Sequence, residues 1–173
     1  IEGMIDTANY CRLSGKPYFG ICLGMQIAVI EFARNSLGYS DANSGEFNAA
    51  SSHKVIDLMP DQLNVDSKGG TMRLGAYPCK LKEGSLIKRA YGVSEISERH
   101  RHRYEFNNDY RAEFCEKGMD IVGLSPDSRL VEAVEVKGGG FYVGVQFHPE
   151  FASRPNRPHP LFYAFVNACG NKE

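Results

Sequence analysis

The chain has 173 residues, 42% of them apolar and 24% charged, the balance of one ordinary globular domain with little room for a second. Its 20 basic and 21 acidic residues leave a net charge of −1, which speaks against non-specific nucleic-acid binding. No apolar run approaches the roughly 18 residues of a membrane span, and five scattered cysteines without a CxxC pair speak against a disulfide framework or zinc site and for a reducing cytosol.

In chain order, Met4 to Leu13 reads as a helix with Ile5, Ala8 and Tyr10 or Cys11 toward a core, closed by Gly15 in a left-handed conformation. Pro17 to Ile21 is a short apolar strand, followed through a sharp turn by a helix over Met25 to Ser36 with Met25, Val29, Phe32 and Ala33 on its apolar face. Leu37 to Ser52 is loop, Lys54 to Met59 strand, and Pro60 to Gly70 turn-rich. Thr71 to Leu81 is extended, with Gly75 and Pro78 as interruptions. Ser85 caps a short helix over Leu86 to Tyr91, and Ile96 to Phe106 is extended. Asn108 to Cys115 is a helix closed by Gly118. Three β runs follow, Asp120–Leu124, Leu130–Val136 and Phe141–Phe147, expected to be antiparallel neighbours across Pro126-Asp127-Ser128 and Gly138-Gly139-Gly140. Phe151 to His159 is irregular, and Pro160 to Ala168 is a final helix that starts on proline. The class is mixed α/β. An opening directly on a helix suggests a domain whose beginning lies further upstream.

Two constellations can carry chemistry. Gly20-Ile21-Cys22-Leu23-Gly24 has the form of a nucleophile elbow with cysteine in place of serine. A strand-to-helix reversal of this kind thrusts the central side chain outward, and the flanking glycines leave room for the turn. The following helix points its N–H groups at the sulfur, so the thiolate is favoured and the Leu23 N–H can serve an oxyanion hole. The alternative is a buried cysteine in an ordinary strand–helix turn. The second constellation is His148-Pro149-Glu150 at the end of the last β run. In extended backbone, residues two apart point the same way, and Pro149 keeps His148 extended. Glu150 can then fix the imidazole tautomer while the other ring nitrogen faces a thiol, giving Cys22, His148 and Glu150 as an acyl-transfer triad. By itself the pair could equally be a surface His-Glu at a strand end.

Gly20-Ile21-Cys22-Leu23-Gly24-Met25-Gln26 with Val145-Gln146-Phe147-His148-Pro149-Glu150-Phe151 resembles the class I, triad-type glutamine amidotransferases. Four further stretches narrow the resemblance to the glutaminase domains of CTP synthases and extend it over nearly the whole chain: Asp41 to Phe47, Gly69 to Gly75, Glu98 to Glu105, and Ser153-Arg154-Pro155 with Pro158 to Phe162. The resemblance implies a three-layer fold, with a central mostly parallel sheet, helices on both faces and antiparallel strands near the C-terminal end. It implies residues 1–173 as a glutaminase domain lacking its first strands, its Gly-rich oxyanion loop and the synthetase domain. It implies Leu23, Gly24, Met25 and Gln26 as the cradle of glutamine, with Glu46 on the α-ammonium and Arg103 on the α-carboxylate, a sensible division of charge. Gly45 departs from the threonine usual before that glutamate.

On the same resemblance the activity is hydrolysis of L-glutamine, the ammonia aminating UTP to CTP in the cytoplasm. This domain would need no cofactor, and ATP, Mg2+, the activator GTP and a homotetramer would belong to the full enzyme. Competing readings are a free-standing γ-glutamyl hydrolase, another amidotransferase, or a non-catalytic assembly module. The run Arg99-His100-Arg101-His102-Arg103 could suggest a nucleic-acid patch, which the acidic remainder of the chain opposes, or a metal site, for which no third ligand lies nearby in sequence. Its alternation separates the arginines from the histidines on opposite sides of a strand.

Overall fold

The computed structural model describes residues 1–58, 72–138 and 140–170. The turn-rich stretch expected over Pro60 to Gly70, the Gly69-Gly70-Thr71 part of its motif and Gly139 lie outside the described residues. Among the described residues nine strands are present: β1 (Tyr18–Ile21), β2 (Asn43–Ser44), β3 (Lys54–Asp57), β4 (Arg73–Leu81), β5 (Glu95–His102), β6 (Glu105–Phe106), β7 (Met119–Leu124), β8 (Val131–Val136) and β9 (Tyr142–Val145). The helices are α1 (Glu2–Ser14), α2 (Leu23–Phe32), α3 (Leu86–Tyr91), α4 (Arg111–Lys117) and α5 (Pro160–Gly170).

Six strands form one sheet in the order β1-β9-β8-β7-β4-β5, and β2-β3-β6 form a second. Residues of β7 and β8 feed two apolar layers, in alternation except at Val131, which lies beyond the register shift opposite Gly123 and Leu124. On one face Ile121, Val131 and Val134 join Ile5 and Ala8 of α1, the apolar residues of α2, and Phe114 of α4. On the other face Val122, Ala133, Val143 and Val145 meet Ile87 of α3 and Leu161 of α5. Helices therefore cover both faces, as the α/β class requires. Parallel pairing in the large sheet is confined to β1 and β9 among the described strands, and the other four pairings are antiparallel. The expected parallel centre is thus reduced to that one pair. The short links from β7 to β8 and from β8 to β9 reverse the chain, giving the antiparallel strands expected near the C-terminal end, and β4 and β5 extend the sheet by two further antiparallel pairings.

Three elements differ from the pattern read in the sequence. α2 is buried from Met25 to Phe32, not along one stripe, because it lies between α1, the sheet and β3. Its one acidic residue, Glu31, receives a two-pronged pairing from Arg12 of α1, with nitrogen–oxygen distances of 2.8 to 3.1 Å. The helix does not run on to Ser36; residues Ala33–Leu37 adopt the wider π-helical winding and stop at Gly38. The extended stretch Ile96 to Phe106 divides at Arg103-Tyr104, so that β5 ends in the large sheet and β6 starts in the small one. Pro78 interrupts nothing: β7 pairs only with Lys80 and Leu81 of β4, so on that side the ladder has ended before the proline. Among the described residues no helix is long and apolar enough to cross a membrane.

Candidate active site

β1 and β9 run parallel in register, Ile21 beside Val145, so the residues that follow them emerge at the same edge. Ligand and reaction sites of α/β proteins favour such carboxyl ends. Cys22 leaves β1 with φ 50° and ψ −102°, a left-handed backbone that a side chain adopts only at a cost of about 1–3 kcal/mol. What holds it there is a hydrogen bond on either side: Cys22 N–H donates to Val145 O at 2.8 Å, and its own carbonyl accepts from Gln26 N–H at 3.3 Å. Gly20 is required for this turn, since a Cβ there would lie 2.6 Å from the carbonyl carbon and oxygen of Gly24. Gly24 is not required on the same ground. A Cβ on it would meet nothing closer than Tyr18 Oη at 3.8 Å.

Beyond β9 the backbone N–H of His148 donates to Arg99 O at 2.8 Å, and Pro149–Ala152 turn in a short 3-10 helix. His148 Nδ1 meets Glu150 Oε1 at 2.6 Å, which fixes the ring as expected of an orienting carboxylate. His148 Nε2 is buried and has no hydrogen-bond partner among the described residues, so that nitrogen can serve as a base. The Cys22 thiol is pushed up from its ordinary pKa, chiefly by burial and next by the negative charge of Glu150. The Leu23 N–H and Gln146 amide pull the other way. The helix-end stabilisation expected of the turn is therefore present, through Leu23, but burial outweighs it in the resting site. Thiolate formation then depends on a base taking the proton.

A cavity of about 450 Å³ opens beside the sulfur, lined by Cys22, Leu23, Gln26, Glu46, Phe47, Met72, Arg101, His102, Arg103 and Tyr104. Its lining brings together Cys22, Leu23, Gln26, Glu46 and Arg103, drawn from well-separated parts of the chain. Two residues of the expected cradle are not in its lining. Met25 is fully buried and packs in the core behind the elbow, and Gly24 turns its carbonyl to Tyr18 Oη, which donates to it at 2.7 Å. Both can shape the turn only through backbone. At Gly45, which precedes Glu46, a Cβ would stand 2.5 Å from Asp57 Oδ1, so a side chain there requires the Asp57 carboxylate to turn aside. Where threonine is usual, glycine here leaves the Asp57 carboxylate close against the turn.

Sequence reading missed the support beneath this cavity. His100 and His102, on the buried side of β5, sit with Arg73 between two buried carboxylates, Glu105 and Glu132. Arg73 reaches Glu132 at 2.8 Å and Glu105 at 3.4 Å. Because a carbonyl can only accept, His102 Nδ1 carries the hydrogen in its 3.2 Å bond to Tyr104 O, and His100 Nδ1 donates onward to His102 Nε2 at 2.9 Å. Burial first, then Arg73, holds both rings neutral, at about 2 for His100 and about 3 for His102. Burial pushes Glu105 up to about 8. Among the described residues no group of three His, Cys, Asp or Glu side chains could hold a metal.

A family model described as glutamine amidotransferase class-I matches residues 1–168. CTP synthase from Rubrobacter xylanophilus is 61% identical over 98% of this chain, and CTP synthase from Clostridium kluyveri 58% identical over all of it. The chain spans 30% and 32% of the lengths of those two relatives. The glutaminase domain of Trypanosoma brucei CTPS, solved with bound acivicin, superposes with a TM-score of 0.92 at 40% identity, over 99% of this chain and 67% of that one. A glutamine amidotransferase from Thermotoga maritima, 16% identical with a TM-score of 0.53 over 86% of this chain and 47% of its own, shares the fold. With an elbow cysteine, a carboxylate-oriented histidine and a family match along its length, the chain belongs to the class-I glutamine amidotransferases.

Proposed function

We propose that this chain, residues 1–173, is the glutaminase domain of a CTP synthase and hydrolyses the side-chain amide of L-glutamine. The observation that carries the proposal is the cavity itself, which sets Glu46 and Arg103, charges of opposite sign, in the same lining as the Cys22 sulfur. A free amino acid presents both signs at one end and its amide at the other. The similarity to two bacterial CTP synthases over essentially the whole chain supports this reading over a γ-glutamyl hydrolase or another amidotransferase.

In the reaction His148 takes the Cys22 proton as the sulfur attacks the amide carbon. A sulfur–carbon bond forms, the carbon–nitrogen bond breaks, and His148 returns the proton to the departing ammonia. The Leu23 N–H stands at the sulfur and supplies one donor for the developing oxyanion. Water, deprotonated by His148, then cleaves the thioester, releasing glutamate and restoring the thiol. Glu150 keeps the ring oriented through its 2.6 Å contact. The ammonia would aminate UTP in a synthetase domain that uses ATP and Mg2+ and responds to GTP, within a cytoplasmic homotetramer. No cofactor enters the chemistry of this domain.

The test is made in the complete enzyme. His148→Ala abolishes glutamine-dependent CTP formation and leaves ammonia-dependent formation intact, and Glu150→Gln weakens the former less. Normal glutamine hydrolysis after His148→Ala ends the proposal.

A further inference from the structure

The buried amide of Gln146 has a definite orientation, read from the groups around it. Gln26 Nε2 lies 3.2 Å from Tyr104 O, an atom that only accepts, so the nitrogen end of Gln26 is fixed there. The same nitrogen lies 3.2 Å from Gln146 Oε1. Turning Gln146 over would set two NH2 groups against each other, so its nitrogen must point away from Gln26. It points at Cys22 Sγ, 3.6 Å away. Gln146 is fully buried and Gln26 nearly so, and His102 donates to the same Tyr104 carbonyl at 3.2 Å, which pins the far end of the chain.

Resting on the amidotransferase reading above, we infer that Gln146 is a further catalytic residue: its amide N–H stabilises the Cys22 thiolate and holds the sulfur in its attacking position, while Gln26 acts through it as a positioning residue. The sulfur loses its proton in a buried site where the largest charge acting on it, Glu150, is negative and opposes ionisation. A neutral donor there lowers the cost without placing a cation that would repel the imidazolium His148 becomes on taking the proton. Gln26 lines the cavity, yet its amide nitrogen is already engaged by Tyr104 and Gln146. Its carbonyl oxygen is then the group left to meet glutamine.

The test reads the thiol without glutamine turnover. The full-length enzyme is alkylated with iodoacetamide across a pH series, and the Cys22 peptide is quantified by mass spectrometry. Gln146→Met, which keeps the volume and removes the donor, raises the apparent pKa of Cys22 alkylation by about one unit, so labelling below that pKa slows about tenfold. In glutamine hydrolysis the same variant lowers kcat about tenfold and leaves KM within about twofold, because the lost contact is to the nucleophile. Should Gln146→Met fail to melt cooperatively, Gln26→Met leaves Gln146 in place without its anchor and raises the alkylation pKa by at least about half a unit. Shifts below about half a unit in the folded variants overturn the inference. An enzyme that alkylates as stated but hydrolyses no glutamine sinks the proposed function and leaves the hydrogen bond standing.

Discussion

Gly20 and Gly24 flank the elbow symmetrically in sequence, but the structure assigns them opposite responses to the same substitution. In Gly20→Ala the new Cβ arrives 2.6 Å from two backbone atoms of Gly24 and 2.8 Å from Tyr18 Cε1, where an ordinary contact needs 3.4 Å or more. Backbone must therefore move by close to an ångström between β1 and α2. Such overpacking costs about 1–3 kcal/mol, and the rigid obstacle puts this site at the upper end. Each kcal/mol lowers the melting temperature of a chain of this size by about 2–4 °C, so Gly20→Ala should melt about 5–10 °C lower. In Gly24→Ala the Cβ meets only Tyr18 Oη at 3.8 Å, and the residue lies in the first turn of α2 with helical backbone. Alanine there reduces the freedom of the unfolded chain and should stabilise by about 0.4–1 kcal/mol. Thermal melts of the two variants, with the rate of Cys22 alkylation measured beside them, decide the matter. Gly20→Ala should also slow alkylation, because the turn that presents the sulfur is displaced. Equal losses of stability in the two variants would refute the steric account and restore the symmetrical one.

Two other outcomes follow from the cavity and the network under it. Arg103→Ala should raise the KM for glutamine by about 10- to 150-fold with kcat nearly kept, the cost of a charge-assisted pair far from the scissile bond. Arg101 shares the lining but stands exposed on β5, so Arg101→Ala should give the smaller rise, and the reverse order in steady-state kinetics would move the carboxylate contact to Arg101. Between about pH 6.5 and 8 stability should fall as pH rises, since Glu105, held up to about 8, keeps a proton in the fold that the unfolded carboxylate has released, worth at most about 1.4 kcal/mol per pH unit. Below about pH 4.5 it should fall as pH drops, because His100 and His102 stay neutral in the fold while both are charged in the unfolded chain. Denaturant melts across pH check both limbs, and Glu105→Gln should flatten the alkaline limb alone; an unchanged slope in that variant assigns the proton to another group.

What the sequence disclosed, and what it did not, divides by the range of the interactions. The elbow, the His148-Pro149-Glu150 pair and the Ser85-capped α3 were legible because each rests on residues within a few positions of one another. The burial alternation of Arg99 to Arg103 was legible for the same reason. The break at Arg103-Tyr104 was not, since it depends on β3 pairing with the Phe106 strand, and no local pattern marks the π-helical winding of Ala33–Leu37. Gln146 stood in a quoted motif without a role of its own. Its role comes from Gln26 and Tyr104, which no local pattern connects to it. Gly24 was misread for the converse reason, as a motif position whose sequence symmetry the packing does not share.

Arg73 illustrates what such long-range contacts accomplish. It belongs to β4, Glu132 to β8 and Glu105 to β6, so one guanidinium spans the six-stranded sheet and the small second sheet. Burying two carboxyl groups, a guanidinium and two neutral histidines is a poor way to gain stability, since apolar residues of equal volume commonly do as well or better. What the cluster fixes is position. Glu105 is held at the start of β6, and His102 and Gln26 hold the carbonyl of Tyr104 directly before it. The chain between the two sheets is thereby fixed on both sides of Arg103, which lines the cavity. The same Tyr104 carbonyl anchors Gln26, which in turn holds the Gln146 amide that reaches Cys22. One main-chain oxygen thus sets both the nucleophile and the arm proposed to grip the far end of its substrate, and a disturbance at β5 must be felt at each.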